Sequence, residues 1–411
     1  MPGQRPWSLC SLRRACPAQP REQHPLHLYI AAVPPEARCR DVLDKGRGNW
    51  SGAALPVLWL ALIGLASPSL ARAQGAARQP DLTDLSLEKL MEIEVDTVYG
   101  ASKYVQKVTE APASVSIVTA EEIKKYGYRT LADVLRSVRG FYVTSDRNYS
   151  YLGVRGFARP GDYNSRILLL VDGHRMNDNI FEQALIGTEF PVDVDLIERI
   201  EVIRGPNSSL YFANAFLGVV NVITRPAPTS GGPEFSGELA SYGTWKGRVT
   251  YANRFPSRLE TFLSATYYDS RGHSRLFFKE FDTPATNNGI AENADYDSSH
   301  QFFGRASYRD FTLHAAYGSR EKGIPTASFD TVFNDPRTRT VDAQSYIDLQ
   351  YDRKLARQWG LMGRVYYDEY NYEGIYVYDN SQTDAPSRVL NSDYAHGKWW
   401  GGEVDVAGTL F

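Results

Sequence analysis

The feature that most constrains the fold is a series of short apolar runs in the middle of the chain, each followed by a turn signal. Residues 167–171 are all aliphatic and are followed directly by Asp172-Gly173. A continuous apolar run of this length is typical of a strand that is covered on both faces. Segments that are mostly apolar occupy 200–203 and 219–224, and the first of them leads into Arg204-Gly205-Pro206. The pattern predicts a buried sheet with tight turns.

Two helix signals precede these runs. Thr119 and Glu122 have the spacing of a capping box, in which a hydroxyl and a carboxylate bind the free N–H groups at the start of a helix. Thr130 and Asp133 repeat the spacing, and Gly127 lies between the two segments as a helix-ending residue. Helices and buried strands together predict a compact α+β domain of about 120 residues.

The order and spacing of these motifs resemble the plug domain of TonB-dependent outer-membrane receptors. In chain order, the positions that carry the resemblance are Glu110 to Val115, Arg155-Gly156, Asp172-Gly173, Arg204-Gly205-Pro206, Ala213-Asn214-Ala215 and Asn221. Phe212 is a departure, because relatives often carry glycine before the Ala-Asn-Ala step. The resemblance covers residues 105–226 and implies a plug domain that gates a large β-barrel in the outer membrane of a Gram-negative bacterium.

From about residue 234 the pattern changes to the two-residue period of strands. In residues 341–352 one face is mostly apolar and the other carries acids and amides. The polar face is expected to need water, whereas the apolar face needs lipid or a second sheet. The pattern predicts eight strands, at about 234–242, 244–254, 257–270, 298–309, 311–320, 341–353, 358–372 and 397–411.

Short and long connections alternate between these strands, as they do in transmembrane barrels. The long connections are predicted at 271–297, 321–340 and 373–396. Eight strands enclose only their own side chains, whereas barrels that hold a plug have about 22 strands. The positions that alternate with Phe411 are mostly polar, unlike a barrel's last strand. We therefore interpret residues 233–411 as part of a larger, truncated barrel.

The N-terminal region has the pattern of an export signal. Residues 53–66 are apolar and too short to span a bilayer comfortably, and Ala71-Arg72-Ala73 predicts cleavage before Gln74. All three cysteines lie before residue 42, so the mature protein is predicted to contain none. We interpret residues 1–73 as a spurious extension plus a signal peptide, with the true start at Val42 or Leu43.

Residues 74–104 are predicted to be a periplasmic segment that contains the TonB box. The resemblance implies that such a box adds a strand to the edge of the periplasmic energy-coupling protein, a contact that tolerates varied sequences because it uses main-chain hydrogen bonds. An ordinary edge strand is the alternative. The predicted box consists of Ile93, Glu94, Val95, Asp96, Thr97 and Val98.

The resemblance also implies a solute site between the extracellular loops and the plug apex. Polar and aromatic loop residues are the type that grip a ligand, although ordinary solvated loops have the same composition. The predicted solute contacts are Asn148, Tyr149, Tyr151, Arg159, Asp162, Tyr163, Asn179 and Phe181. Ferric siderophores, cobalamin, haem and oligosaccharides all use this architecture, and residues 85–95 weakly favour cobalamin or a siderophore.

Other classes of function have little support in the sequence. A net charge of −3 provides no basic field for nucleic acid, and no catalytic motif is present. None of the seven histidines forms a metal-ligand cluster, and no cofactor is predicted. Arg155 and Arg204 could hold an anion, but we interpret them as structural. The implied partners are the energy-coupling protein, outer-membrane lipid and a small-molecule ligand such as a metal chelate. A TonB-linked signal transducer and a surface docking or adhesion protein are the alternatives.

Overall fold

The computed structural model describes residues 113–159, 161–228, 231–356, 359–380 and 388–408, and the backbone of two short segments before them. Those segments are β1 (Thr97–Val98) and β2 (Gln106–Lys107), which pair in antiparallel fashion. The predicted signal peptide, the alternative start, residues 93–96 of the predicted TonB box and Phe411 lie outside the described residues.

Residues 113–228 form an α+β unit, here called the plug. Its elements are β3 (Ser114–Thr119), α1 (Ala120–Tyr126), α2 (Leu131–Ser137), β4 (Phe141–Ser145), β5 (Ser150–Val154), β6 (Ile167–Val171), β7 (His174–Arg175), β8 (Ile197–Arg204), α3 (Ser208–Tyr211) and β9 (Gly218–Thr224). The main sheet has the order β3-β8-β9-β6-β7, and only the β6–β9 pair is parallel. Strands β4 and β5 form a separate hairpin.

Both predicted capping boxes are present. The Thr119 hydroxyl accepts a hydrogen bond from the Glu122 amide at 3.3 Å, and the Glu122 carboxylate accepts one from the Thr119 amide at 2.9 Å. Thr130 and Asp133 form the same pair of bonds at the start of α2. Gly127 ends α1 with a φ of 66°, a value that glycine adopts without strain. In the described part of the chain, no helix is both long and apolar enough to cross a membrane.

The plug core lies between the main sheet and the two longer helices. All five residues of β6 are buried, as the continuous apolar run predicts. Leu131, Val134 and Leu135 of α2 are fully buried in the same cluster as Ile200 and Val202 of β8. Burial of a leucine-sized side chain stabilises a fold by about 1.5–3 kcal/mol, so this cluster accounts for much of the stability of the plug.

Eight strands that follow the plug in the chain form one sheet, here called the wall. Its strands are β10 (Gly232–Ala240), β11 (Thr244–Arg254), β12 (Leu259–Ser270), β15 (Asp297–Tyr308), β16 (Phe311–Gly323), β17 (Arg339–Ala356), β18 (Trp359–Asp379) and β19 (Arg388–Gly408). Successive strands are neighbours and antiparallel throughout. A small hairpin of β13 (Arg275–Phe277) and β14 (Ile290–Glu292) lies in the first long connection. The eight predicted strands are therefore present.

One predicted long connection is wrong. Residues 373–396 continue the pairing of β18 with β19, with Glu373 opposite Tyr394 and Tyr378 opposite Val389. The polar composition of this segment favours a loop locally, but pairing with a long neighbouring strand outweighs it. Only residues 380–387 separate the two strands.

The two faces of the wall follow the predicted alternation, but the polar face does not lie in water. On β17, Ile347 is 55% exposed and Leu349 is 41% exposed, whereas Asp342 and Asp348 are 2% and 0% exposed. The plug covers the polar face and supplies hydrogen bonds there, so the expectation that this face needs water is wrong. The end of the wall with long connections is called the long-loop end, and the opposite end is the short-turn end.

Candidate functional site

Arg320 of β16 joins the plug to the wall near the long-loop end. Its guanidinium group donates to the Asn148 carbonyl at 2.6 Å and to the Asp297 carboxylate at 3.4 Å. The carboxylates of Glu189 and Asp342 lie 3.7 and 3.9 Å away. The side chain is 3% exposed, so the surrounding acids compensate a buried charge that would otherwise be costly.

Wall side chains also bind the plug backbone directly. Gln344 donates to the Met176 carbonyl at 2.7 Å, and Gln301 donates to the Phe190 carbonyl at 2.7 Å. Arg364 donates to the Asp172 carbonyl at 2.8 Å. The acceptors are main-chain carbonyl groups of the plug, so these bonds hold the plug backbone and do not depend on the side chains of Met176, Phe190 and Asp172.

The first three predicted solute contacts lie in or beside the β4–β5 turn, against β17. The Asn148 carboxamide accepts from the Thr340 hydroxyl at 2.9 Å, and the Tyr149 hydroxyl donates to Asp342 at 3.0 Å. The Tyr151 hydroxyl donates to Asp146 at 2.8 Å. Burial, with a further contribution from the Asp342 charge, raises the pKa of Tyr149 well above its ordinary value. These side chains brace the turn, and their contact with a solute stays a prediction.

An aromatic cluster connects the plug to β18 at the same end. The Phe181 ring lies 5.6 Å from Tyr163, 6.3 Å from Tyr370 and 6.1 Å from Tyr372, measured between ring centroids. Tyr149 joins the cluster edge-on to Tyr163 at 6.0 Å. Phe181 is 37% exposed. These five residues are called the apical aromatic cluster. Tyr149 and Tyr370 are buried, whereas Phe181, Tyr163 and Tyr372 keep part of their surface accessible. Accessible aromatic rings of this kind suit a ligand that is partly apolar.

Asp178 holds the loop that presents Phe181. Its buried carboxylate accepts hydrogen bonds from the amides of Ile180 at 2.8 Å, Phe181 at 2.6 Å and Gln183 at 2.9 Å. Burial raises the pKa of Asp178, and the three amides oppose that shift only in part. The loop is thus organised by one side chain that sequence reasoning missed, although an aspartate before such a turn is a recognisable signal.

The other three predicted contacts are dispersed. Arg159 is exposed, and the Asp162 carboxylate accepts from the Asn164 amide at 3.2 Å within its own loop. Asn179 donates to the Lys398 carbonyl of β19 at 3.4 Å. The structure therefore brings Tyr149, Tyr163 and Phe181 together, and the exposed Arg159 side chain is not a member of their cluster.

The predicted structural motifs form turns and tie strands together. Arg155 and Gly156 have φ values of 52° and 86°, and Gly173 and Gly205 also lie in the left-handed region. The carboxylate of Asp172 accepts from the amide and the hydroxyl of Thr224 at 2.9 and 2.7 Å. Arg204 donates to the Arg139 carbonyl at 2.9 Å and to the Ser116 hydroxyl at 3.0 Å. Pro206 follows this turn as an exposed residue. These contacts agree with a structural interpretation of Asp172 and Arg204.

A cavity of about 770 Å³ lies between the plug and strands β12 and β15 to β19. Its polar lining includes Arg175, Arg305, Arg364 and His314. Of the predicted solute contacts, only Asn179 lines it. In the residues that the structure describes, no group of three or more histidine, cysteine, aspartate or glutamate side chains could hold a metal ion.

Residues 107–219 match the family described as TonB-dependent Receptor Plug Domain. Over 135 residues the chain is 36% identical to an iron-regulated outer membrane virulence protein of Vibrio cholerae, a match that covers 31% of this chain and 20% of the relative. Over 282 residues it is 26% identical to the vitamin B12 transporter BtuB of Vibrio vulnificus, covering 62% of this chain and 45% of the relative. The chain thus spans less than half the length of these curated relatives.

Solved structures have the same fold. The Pseudomonas aeruginosa receptor FpvA, solved with a pyoverdine–iron complex, superimposes with a TM-score of 0.57 at 13% identity, covering 77% of this chain and 42% of that one. The ferric enterobactin receptor PfeA of the same species has a TM-score of 0.54 at 18% identity, covering 72% and 46%. The predicted fold class, an α+β plug followed by antiparallel barrel strands, is confirmed.

Over residues 107–219 the chain is thus similar to the plug domains of TonB-dependent receptors. The predicted resemblance of the chain to a TonB-dependent outer-membrane receptor is confirmed by this family match and by the two Vibrio relatives.

Proposed function

We propose that this chain is the plug-bearing part of an outer-membrane receptor that takes up a scarce solute into the periplasm by TonB-coupled transport. The observation that carries the proposal is the covered polar face of the wall, on which a plug domain is held by bonds such as those from Gln344 and Arg364. A plug held in this way blocks passage until work is done on it. No covalent chemistry is required of the receptor.

The proposed solute site is at the long-loop end, which would face the cell exterior. There Phe181 is exposed and the apical aromatic cluster joins the plug to β18. All eight predicted contacts are proposed to belong to this site, with Tyr149, Tyr163 and Phe181 in the cluster and Arg159, Asp162 and Asn179 in the loops of the plug. The solute class is a ferric siderophore or cobalamin, because relatives are named for iron regulation and for vitamin B12 transport.

Energy would enter through the segment upstream of β3. Residues 93–98 are proposed to pair with a TonB-type protein by strand addition. Pairing of Thr97–Val98 with Gln106–Lys107, at the end of this segment, supports the proposal, because these two residues have extended backbone. The N-terminal leader is proposed to direct export to the outer membrane.

Uptake of radiolabelled solutes by a Gram-negative host that lacks its own receptors tests the proposal. The probes are ⁵⁵Fe-loaded hydroxamate and catecholate siderophores and ⁵⁷Co-cobalamin, each with and without a proton uncoupler. One probe should accumulate in an uncoupler-sensitive way, and deletion of residues 93–98 should abolish accumulation but leave surface binding intact. Binding without accumulation in the unmodified protein would contradict transport and support the docking alternative.

The solute site has its own test. Phe181→Ala should weaken binding of the accumulated probe about tenfold, because an aromatic contact contributes about 0.5–1.5 kcal/mol in addition to the area that it buries. Phe157→Ala is the matched control, since Phe157 is 66% exposed and makes no contact with the cluster rings. Equal binding by the two variants would contradict the proposed site.

A further inference from the structure

His174 lies between two carboxylates of the wall. This residue is on β7, the last strand in the order of the plug sheet. Its Nδ1 atom is 2.9 Å from Oδ2 of Asp348 on β17, and its Nε2 atom is 2.8 Å from Oδ1 of Asp368 on β18. The imidazole is 2% exposed and both carboxylates are 0% exposed. The plug and two wall strands therefore meet at one buried side chain.

The two contacts together favour one protonation state of the His174 imidazole. A neutral imidazole carries one N–H group, so it could donate to only one of the two carboxylates, and its other nitrogen would turn a lone pair towards an oxygen. An imidazolium ring donates to both. Arg364 places its Nε atom 3.1 Å from Asp348, so a protonated His174 completes a group of two cations and two anions. Loss of the ring proton would leave this buried group with a net negative charge, which is costly in a protein interior.

Two tyrosine rings cover the imidazole of His174. Tyr346 of β17 stacks on the imidazole at 4.1 Å, and Tyr366 of β18 contacts it edge-on at 5.1 Å. Further charged and titratable groups near it are Asp172 on the plug, His314 of β16, which lies 3.5 Å from Asp172, and the Arg175–Glu182 pair of the plug. Burial lowers the pKa of His174, but the charges and hydrogen bonds of Asp368 and Asp348 outweigh burial and raise it above its ordinary value.

We propose that protonated His174 is a pH-dependent clamp that holds the β7 edge of the plug to strands β17 and β18, and that the clamp opens as pH rises. The sign follows from the direction of the shift. A histidine whose pKa is higher in the folded protein stabilises the fold fully below about pH 6.5, and this stabilisation is lost as pH rises through the folded-state value. The clamp requires only the plug–wall contact and does not depend on which solute is transported.

Hydrogen exchange of the amides in residues 167–176 of the full chain, purified in detergent, tests the clamp between pH 6 and 10. After correction for the intrinsic pH dependence, the local opening equilibrium of the unmodified protein should increase about tenfold or more over this range, as expected for loss of charge-assisted hydrogen bonds. His174→Gln should already show the more open value at pH 6 and little further change. His300→Gln is the matched control, because His300 lies on the opposite face of the wall, and its profile should match the unmodified protein.

Asp368→Asn provides a second variant that keeps the shape of the site. Removal of one carboxylate should shift the opening to lower pH without abolishing it. In the unmodified protein, ¹⁵N shifts of the His174 ring at pH 6 should show two protonated nitrogens, and this measurement decides the question if His174→Gln does not fold. A flat exchange profile in the unmodified protein, or a ring with one unprotonated nitrogen at pH 6, would overturn the proposal.

Discussion

The plug and the wall differ in where they place their apolar and polar side chains. In the plug, Leu169 is 1% exposed and belongs to a continuous apolar core. In the wall, Leu349 is 41% exposed, while its neighbour Asp348 is fully buried. Apolar side chains on the inner face of the wall, such as Phe262 and Phe303, are buried in the same cluster as the plug core, so the plug surface completes that face. The stability of one region therefore depends on polar contacts with the other.

Substitutions in the polar plug–wall interface are expected to reduce stability, as substitutions in the plug core do. Arg320 bonds to Asn148 of the plug and to Asp297 of the wall. Tyr149 of the plug and Tyr370 of the wall both donate to Asp342. Each partner that is removed leaves a buried acid without full compensation, which costs more than the net gain of the bond itself.

The largest effect is expected for Arg320→Met. Removal of the guanidinium group leaves Glu189, Asp297 and Asp342 buried together without their cation, which should lower the free energy of plug unfolding by about 3–5 kcal/mol. Urea titration of the receptor, followed by hydrogen exchange of residues 141–154, measures this change. Arg309→Met at an exposed turn is the control and should change it by less than about 0.5 kcal/mol. Equal effects would show that the buried charges do not couple the two regions.

A matched pair of leucine substitutions measures the contrast between the two regions directly. Leu169→Ala creates a cavity in the plug core and should cost about 2–5 kcal/mol. Leu349→Ala removes an outward-facing side chain of the wall and should cost less than about 1 kcal/mol in the same titration. A cost at Leu349 as large as that at Leu169 would mean that the outer face of the wall packs against protein.

Local signals made the plug predictable. The capping boxes of Thr119 and Thr130 involve residues three positions apart. The continuous apolar run of β6 indicates by itself that this strand is buried. The two-residue period also predicted which face of β17 carries Asp342 and Asp348. Such features need no knowledge of distant partners, so sequence alone contains them.

Long-range contacts could not be predicted in the same way. The bond between Tyr149 and Asp342 joins residues 193 positions apart, and that between His174 and Asp368 joins residues 194 apart. The alternation in β17 showed that its polar face needs polar partners, but not that the plug supplies them. For the same reason Tyr370 and Tyr372 were missed as neighbours of Phe181.

The smallest effect is expected for the pH dependence of a contact made by Asp335, which lies in the connection between β16 and β17. Asp335 accepts from Arg337 at 2.7 Å and from Arg388 of β19 at 2.8 Å. The Arg337 hydrogen bond, aided by Arg388, lowers the pKa of Asp335 to about 2. The contact should therefore be fully present above about pH 4 and be lost as pH falls through about 2.

Hydrogen exchange of residues 332–338, corrected for intrinsic rates, checks this expectation. Protection should be constant from pH 7 to 5 and should fall modestly below about pH 4. In Asp335→Asn the acid-dependent step should be absent. A step that persists in this variant would assign it to another group.

Spin labels along β17 test most directly whether the wall turns its apolar face to lipid and its polar face to the plug. Single cysteines at 344 to 349 would be introduced after Cys10, Cys16 and Cys39 are replaced by serine, and the labelled receptor would be placed in liposomes. Accessibility to dissolved oxygen, which partitions into lipid, should be high at 345, 347 and 349 and low at 344, 346 and 348. Uniformly low accessibility at both sets of positions would contradict the account, because the apolar face would then be covered by protein.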